Sequence, residues 1–238
     1  MNGANRERLK VVAKSLGDLC DQVVFLGGAT VDLYTTSPAA PSPRPTLDVD
    51  CIVEVTSVMQ LHELEEKLRS RGFENDQSKG APICRWICQE IKVDVMPTRA
   101  EVLGFTNEWY EEGFRHSQRL SLDDEVEVKI LELPHFLATK VAALYNRGMT
   151  DLRTSADFED MVYILRNRAS VVGEIRAADK LVRGYLIDAF TKLLSIDIVD
   201  EAIYSVLDYG EPAGTQRKIR WTMGKISALK DADSARGE

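Results

Sequence analysis

The sequence predicts an α+β protein in which a strand-bearing first half precedes a helical second half. Short apolar runs beside glycine and proline, such as residues 23–26, indicate buried strands in the first half. From Pro134 onward, apolar residues recur at helical spacing, and no further strand pattern follows. We therefore predict two domains, 1–133 and 134–238.

Composition indicates an ordinary globular chain without a membrane segment. Its 238 residues suffice for a sizeable core, and the hydrophobic fraction is 44%. The net charge of −8 argues against broad, non-specific nucleic-acid binding but leaves a local basic groove open. The four cysteines lack the paired spacing of a zinc site. No signal peptide and no apolar run near ~20 residues is visible, so we expect a cytoplasmic protein with no membrane contact.

The first half reads as alternating helices and strands. Apolar spacing predicts a helix over residues 5–19, and Ser57 is a suitable N-cap for another that continues to about residue 70. Four prolines between residues 37 and 45 indicate a surface loop. The other predicted elements are a strand at 23–26, a glycine turn at 27–28, a helix at 29–34, a strand at 47–55, a loop at 72–81, a strand pair at 82–87 and 90–96, a mixed segment at 102–114, and short strands near 115–120 and 126–131.

The second half reads as helices throughout. Pro134 suits a helical first turn, and residues 135–146 follow with an apolar face. Ser155 marks the start of a second helix. Residues 171–229 then predict three or four more helices.

Three aspartates interrupt the predicted buried strands. Asp48 and Asp50 are two residues apart in one strand, so their carboxylates share a face. Asp94 lies in a second apolar strand, IKVDVMP. Burying carboxylates in this way requires a cation or a basic partner, and carboxylate oxygens are favoured ligands of Mg²⁺. The pattern indicates metal-assisted transfer from a nucleotide, with structural ion pairs as the alternative.

Glycine and lysine positions extend this candidate site. Gly27 and Gly28 follow a strand, where glycines let the backbone approach a phosphate, although an isolated glycine pair is more often a simple turn. Neither a GxxxxGK[ST] nor a GxGxxG motif is present. Lys140 can neutralise a triphosphate, and Asp157 and Asp160 on the next helix can orient it or the incoming hydroxyl. A solvated lysine and ordinary helix-start acids are the plainer interpretations.

Taken together, these blocks resemble a known family. LGGATVDLY, RPTLDVDCIVEV, IKVDVMP, FLATKVAALYNRG and SADFEDMVYIL are similar to the AbiEii-type nucleotidyltransferases of the DNA polymerase β superfamily, which include toxins of type IV toxin–antitoxin systems. The resemblance covers roughly residues 22–168. It implies a polymerase-β-like mixed sheet flanked by helices, a helical region that completes the active site, a nucleoside triphosphate donor, Mg²⁺ and nucleotidyl transfer to an acceptor.

The resemblance also implies roles for individual residues. Asp48, Asp50 and Asp94 match the metal-binding acids, and with Lys140 and Asp157 they are the expected catalytic residues. The expected nucleotide-binding residues are Gly27, Gly28, Thr30, Lys140 and Asp160. The sequence departs from the pattern in three ways: Ala29 replaces a hydroxyl residue, the proline-rich loop lengthens the spacing from the glycines to the acids, and Ala156 replaces a basic residue.

Several functions stay open at this stage. The acceptor can be tRNA, a protein or a small molecule such as an aminoglycoside. The toxin resemblance also implies a cognate antitoxin protein as partner. The departure at Ala29 keeps a non-catalytic nucleotide-binding module as an alternative. A third interpretation is one half of a protein pair that docks through its helical region.

Overall fold

The computed structural model describes residues 3–37, 39–147, 149, 151–212 and 214–229. These residues form two compact units. The first comprises residues up to 33 together with Ser42–Glu132, and the second comprises Tyr34–Pro41 together with the residues from 133 onward. The predicted first domain, 1–133, includes Tyr34–Pro41, which the structure groups with the second unit. Pro38 of the predicted loop, Gly148 of the family blocks and residues 230–238 of the predicted second domain lie outside the described residues.

A mixed seven-stranded sheet forms the centre of the first unit, which confirms the α+β class. Its order is β3-β4-β5-β2-β1-β7-β6. The pairs β2–β5 and β1–β7 are parallel, and the other neighbours are antiparallel. The strands are β1 Val23–Leu26, β2 Asp48–Val53, β3 Glu74–Asn75, β4 Arg85–Cys88, β5 Ile91–Pro97, β6 Ser117–Ser121 and β7 Glu127–Leu131.

The strands form where the apolar runs predict them. All four residues of β1 are buried, as expected for a strand in the interior of the sheet. The predicted strand pair is a hairpin in which Cys88 faces Ile91, so that only Gln89 and Glu90 form the turn. Both turn residues have positive φ, 47° and 68°, as a two-residue type I′ turn requires. β3 is an addition, because it lies within the predicted 72–81 loop.

Helices flank this sheet. They are α1 Ala4–Leu16, α2 Val58–Ser70, α3 Ala100–Leu103 and α4 Tyr110–Arg115, together with the 3₁₀ helices Gly17–Gln22 and Gly28–Tyr34. α1 packs on β2 and β5 through its buried apolar face, and α4 contacts β2. The Ser57 side chain accepts a hydrogen bond from the backbone N–H of Gln60, as predicted for the cap of α2. The helix predicted after the glycine turn is a short 3₁₀ helix.

The second unit is helical in its described residues. Its helices are α5 Leu133–Asn146, α6 Ala156–Asn167, α7 Val171–Ala177, α8 Lys180–Leu194, α9 Val199–Ser205 and α10 Thr215–Ser227, with a 3₁₀ turn at Leu152–Thr154. α5 is buried over most of its length and packs against α6, α7 and α8. Tyr34 joins this core, with its ring 4.5 Å from that of Phe136 between centroids. Of the helices described, none combines the length and apolar character needed to cross a bilayer.

Candidate active site

Parallel pairing of β2 and β5 brings the three strand aspartates onto neighbouring strands. Asp50 is the direct register partner of Asp94, and Asp48 lies two residues before Asp50. Adjacent strands are about 4.8 Å apart, so the carboxylates of Asp50 and Asp94 project from adjacent points of the sheet. On the other side of β2, Leu26 is the partner of Asp50. The turn that follows Leu26 therefore begins beside Asp50.

Gly27 lies against the carboxylate of Asp50. Its φ of +74° is in the left-handed region that favours glycine. A Cβ atom at this position would also lie 1.9 Å from Oδ2 of Asp50. Two independent features therefore favour glycine at position 27: the positive φ and the lack of room for a Cβ atom beside the carboxylate.

Arg44 lies against the second glycine of the turn. A Cβ atom on Gly28 would come within 2.8 Å of an Arg44 guanidinium nitrogen and 3.4 Å of Cβ of Thr46. The buried side chain of Asn5 holds this segment in place. Its amide donates to the Arg44 carbonyl and its oxygen accepts from the Thr46 N–H, both at 3.0 Å. The loop before β2 thereby brings a cation to the glycine turn.

The hydroxyl groups of Thr46 and Thr30 donate to different partners: Thr46 to the Asp48 carboxylate and Thr30 to the Gly27 carbonyl. Thr46 donates to Oδ1 of Asp48 at 2.6 Å and so helps to orient that carboxylate. The Thr30 hydroxyl and backbone N–H both donate to the Gly27 carbonyl, at 3.1 and 3.3 Å. Thr30 is fully buried, so its hydroxyl closes the turn in this structure. Its assignment as a nucleotide ligand stays a prediction.

Arg85 engages Asp94 directly. Its Nε and Nη2 donate to the two Asp94 oxygens, each at 2.7 Å, in a bidentate pair. Nη2 also lies 3.8 Å from Oδ2 of Asp48. These contacts, chiefly the hydrogen bonds to Asp94, raise the pKa of the Arg85 guanidinium. Strand pairing explains the contact, since Arg85 on β4 is the register partner of Asp94 on β5.

The donor set fits a divalent ion at Asp48 and Asp50 better than at Asp94. Asp48 retains 38% side-chain exposure, whereas Asp94 retains 11% and is held by Arg85. In the described part of the chain, the oxygens of Asp48, Asp50 and Asp94 do not all lie within 4.8 Å of one another. The all-oxygen chemistry of the pair on β2 suits Mg²⁺. Asp94 is already neutralised by the Arg85 guanidinium in this structure.

The cysteines close to these acids are poor nucleophiles. Burial raises the pKa of the Cys51 thiol well above its usual value, and Cys51 directly follows Asp50. Burial likewise raises the pKa of Cys84 to about 11. Both thiols are therefore protonated at neutral pH.

Lys140, Asp157 and Asp160 form a buried charge cluster within the second unit. The Lys140 ammonium donates to Oδ2 of Asp160 at 2.6 Å and to Oδ1 of Asp157 at 3.3 Å. All three residues are buried, and Arg147 pairs with the other oxygen of Asp157. The Ser155 side chain caps α6 by accepting from the Phe158 N–H, which fixes the helix that carries both acids. The structure thus pairs the lysine with these acids, while its role as a phosphate ligand stays a prediction.

Sequence reasoning missed two arginines and an asparagine. Arg85 lies opposite Asp94 because the turn at Gln89-Glu90 has two residues, a length that these residue types do not signal. Arg44 and Asn5 gave no local signal, since the two positions are 39 residues apart in the chain. Their contact depends on tertiary structure.

Fold and site together define an α+β protein whose mixed sheet carries a carboxylate pair beside a glycine turn. No family model and no curated protein matches the chain. Among solved structures, it is similar to the crystal structure of a candidate nucleotidyltransferase from H. pylori, with 11% sequence identity and a TM-score of 0.44. That match covers 94% of this chain and 93% of the other. The resemblance to AbiEii-type proteins rests on the sequence blocks alone.

Proposed function

We propose that the protein is a Mg²⁺-dependent nucleotidyltransferase that moves a nucleoside monophosphate from a nucleoside triphosphate to an acceptor hydroxyl. The observation that carries this proposal is the packing of Gly27 on the carboxylate of Asp50. The backbone of the glycine turn can approach a phosphate, and the acids Asp48 and Asp50 can bind a metal. The contact between Gly27 and Asp50 puts these two binding positions side by side.

Four residues of the first unit have roles in this proposal. Asp48 and Asp50 would hold Mg²⁺, which supplies charge neutralisation of the triphosphate. Thr46 orients Asp48 through its hydrogen bond. Arg44, placed at Gly28, would attract the phosphates. Arg44 begins the block RPTLDVDCIVEV, but the sequence analysis assigns it no role.

The reaction requires little covalent chemistry from the protein. The acceptor oxygen bonds to the α-phosphorus, the bond from that phosphorus to the bridging oxygen breaks, and pyrophosphate leaves with the electron pair. The proton of the acceptor hydroxyl passes to one of the carboxylates of Asp48, Asp50 and Asp94, which together are called the acid face. Positioning and electrostatic stabilisation by fixed charges would supply most of the rate enhancement.

The second unit supports RNA, of which tRNA is the class implied by the resemblance, as the acceptor. Arg217, Trp221 and Lys225 follow one another at four-residue spacing on α10, so they share a face. Trp221 is 63% exposed, and the Lys225 ammonium lies 5.0 Å from its ring centroid. An exposed indole between cations suits a stacked base flanked by phosphates. Protein and small-molecule acceptors are the alternatives for the assay to distinguish.

The test is transfer of label from each of the four α-³²P-labelled nucleoside triphosphates in the presence of Mg²⁺. Separate reactions contain total RNA, tRNA, lysate protein or an aminoglycoside as acceptor. We expect labelled tRNA with the wild-type protein and none with Asp50→Asn, which preserves the size of the side chain. Asp124→Asn, at an exposed position, is the matched control and should retain activity. Full activity in Asp50→Asn would contradict the proposal.

A second candidate function is a non-catalytic nucleotide-binding module. The bidentate pairing of Asp94 with Arg85 favours it, because the third acid already has a cationic partner in the protein. Calorimetry with Mg²⁺ and each triphosphate distinguishes the two functions. Binding without product for any acceptor would support the module and contradict the transferase.

A cognate antitoxin is proposed on the resemblance alone. Co-expression with the product of a neighbouring small open reading frame tests it. Co-purification of the two chains, together with relief of any growth arrest, is the expected result. Separate elution and unaltered growth arrest would contradict a toxin–antitoxin pairing while leaving the transferase proposal standing.

A further inference from the structure

Arg85 reaches across two strands of the sheet to the acid face. It stands on β4, pairs with Asp94 on β5, and extends to within 3.8 Å of Asp48 on β2. A salt bridge confined to direct strand neighbours would end at Asp94. Contact with Asp48 places the guanidinium among the carboxylates that the proposed function assigns to metal.

The guanidinium contacts the carboxylates that the proposed function assigns to a divalent ion. Both oxygens of Asp94 accept a hydrogen bond from Arg85, so a divalent ion bound at either oxygen would lie close to the guanidinium charge and be repelled by it. The Arg85 side chain is only 19% exposed and Asp94 only 11%, so water screens the pair weakly. Releasing Asp94 therefore costs free energy that metal binding must offset.

We propose that Arg85 is a built-in counter-ion that competes with the divalent cation for Asp94 and Asp48. This inference rests on the proposed function, because it takes those acids to be metal ligands. Arg85 neutralises the acid face while no metal is bound and lowers its affinity for the ion. Loading of metal releases the guanidinium from Asp94. Arg85 is thus a residue that sets metal affinity.

Calorimetric titration with Mn²⁺ alone tests this competition. We compare the wild-type protein with Arg85→Met, which keeps an apolar stem without charge, and with Arg85→Lys, which keeps the charge without the bidentate geometry. Removing the charge should tighten Mn²⁺ binding by about tenfold or more, a change typical in size for residues around a metal site. Arg85→Lys should fall between the two. Asp50→Asn in the wild-type and Arg85→Met backgrounds shows whether the measured ion occupies this site.

Thermal unfolding gives a second readout. A larger stabilisation by Mn²⁺ in Arg85→Met than in the wild-type protein is not expected if the arginine is purely structural. Without metal, Arg85→Met should melt below the wild-type protein because Asp94 loses its partner. Saturating Mn²⁺ should raise its melting temperature more than that of the wild-type protein. Arg85→Gln is measured in the same way if Arg85→Met does not fold.

The outcomes separate this inference from the function on which it rests. Equal or weaker Mn²⁺ binding in the uncharged Arg85 variants, with binding still lost in Asp50→Asn, would overturn the competition and leave the metal site standing. Absence of Mn²⁺ binding in every variant, or binding unaffected by Asp50→Asn, would overturn both. Tighter binding that requires Asp50 supports both.

Discussion

Gly27 and Asp50 are in direct contact although they lie 23 positions apart in the sequence. β1 and β2 pair so that Leu26 faces Asp50, and the chain leaves β1 at Gly27. The carboxylate then occupies the volume that any other residue at position 27 would need for Cβ. The turn and the acid therefore act as one structural feature, which is the basis for assigning phosphate and metal to neighbouring positions.

Gly27→Ala should lose both stability and Mn²⁺ binding. The left-handed φ and the contact with Asp50 act together, and we expect a loss of about 2–4 kcal/mol in the free energy of unfolding. Urea denaturation measures this loss. Gly80→Ala is the control, because Gly80 has a similar φ of +86° with nothing within 4 Å of the added Cβ. It should lose only about 1 kcal/mol and retain metal binding. Equal effects at the two positions would show that the contact with Asp50 is unimportant.

Lys140→Met should destabilise the second unit strongly. The substitution leaves the buried carboxylates of Asp157 and Asp160 without their shared ammonium. Removing one partner from such a cluster costs about 3–5 kcal/mol. Chemical denaturation measures the loss, and the exposed Lys218→Met is the control, expected to change stability by less than about 0.5 kcal/mol. Adding Asp160→Asn to Lys140→Met should recover part of the loss. A fully stable Lys140→Met protein would contradict a structural role for this cluster.

Asp32 should make stability depend on pH. Burial raises the pKa of this carboxyl, with Arg6 opposing the shift, and within the described chain its Oδ1 has no hydrogen-bond partner. A raised pKa means that the folded state favours the protonated form. This stabilisation is complete below the usual pKa of 3.8 and is lost as pH rises through the higher folded-state pKa.

Asp32→Asn therefore should be more stable than the wild-type protein at pH 7, and the difference should shrink toward pH 3. Denaturant unfolding across this range measures it. Asp124→Asn, at an exposed position, serves as the control and should show no such trend. A variant whose advantage grew as the pH fell would have the wrong sign for a buried carboxylate.

Much of the fold was predictable because local pattern and tertiary structure agree. The apolar runs at residues 23–26 and 91–96 are strands, and Ser57 and Ser155 cap the helices that they were expected to begin. These features depend on nearest neighbours and on periodicity, which a single sequence displays. β3 escaped prediction because its two residues become a strand only by pairing with β4.

The sequence shows the candidate acids of the site but does not show the cations that contact them. Asp48 and Asp50 stand out as charges in an apolar strand. The contact between Arg85 and Asp94 depends on strand register, and that register is set by a turn at Gln89-Glu90. The turn lacks the glycine or asparagine that usually marks positive φ, so its length could not be read from residue type.

The most direct test of the central claim is a crystal structure of the protein with Mn²⁺ and a non-hydrolysable nucleoside triphosphate. Anomalous scattering locates the ion without reference to the fold. We predict a peak within about 2.3 Å of carboxylate oxygens of both Asp48 and Asp50, with phosphates against Gly27 and Gly28. A peak elsewhere, or a triphosphate bound away from the glycine turn, would contradict the account.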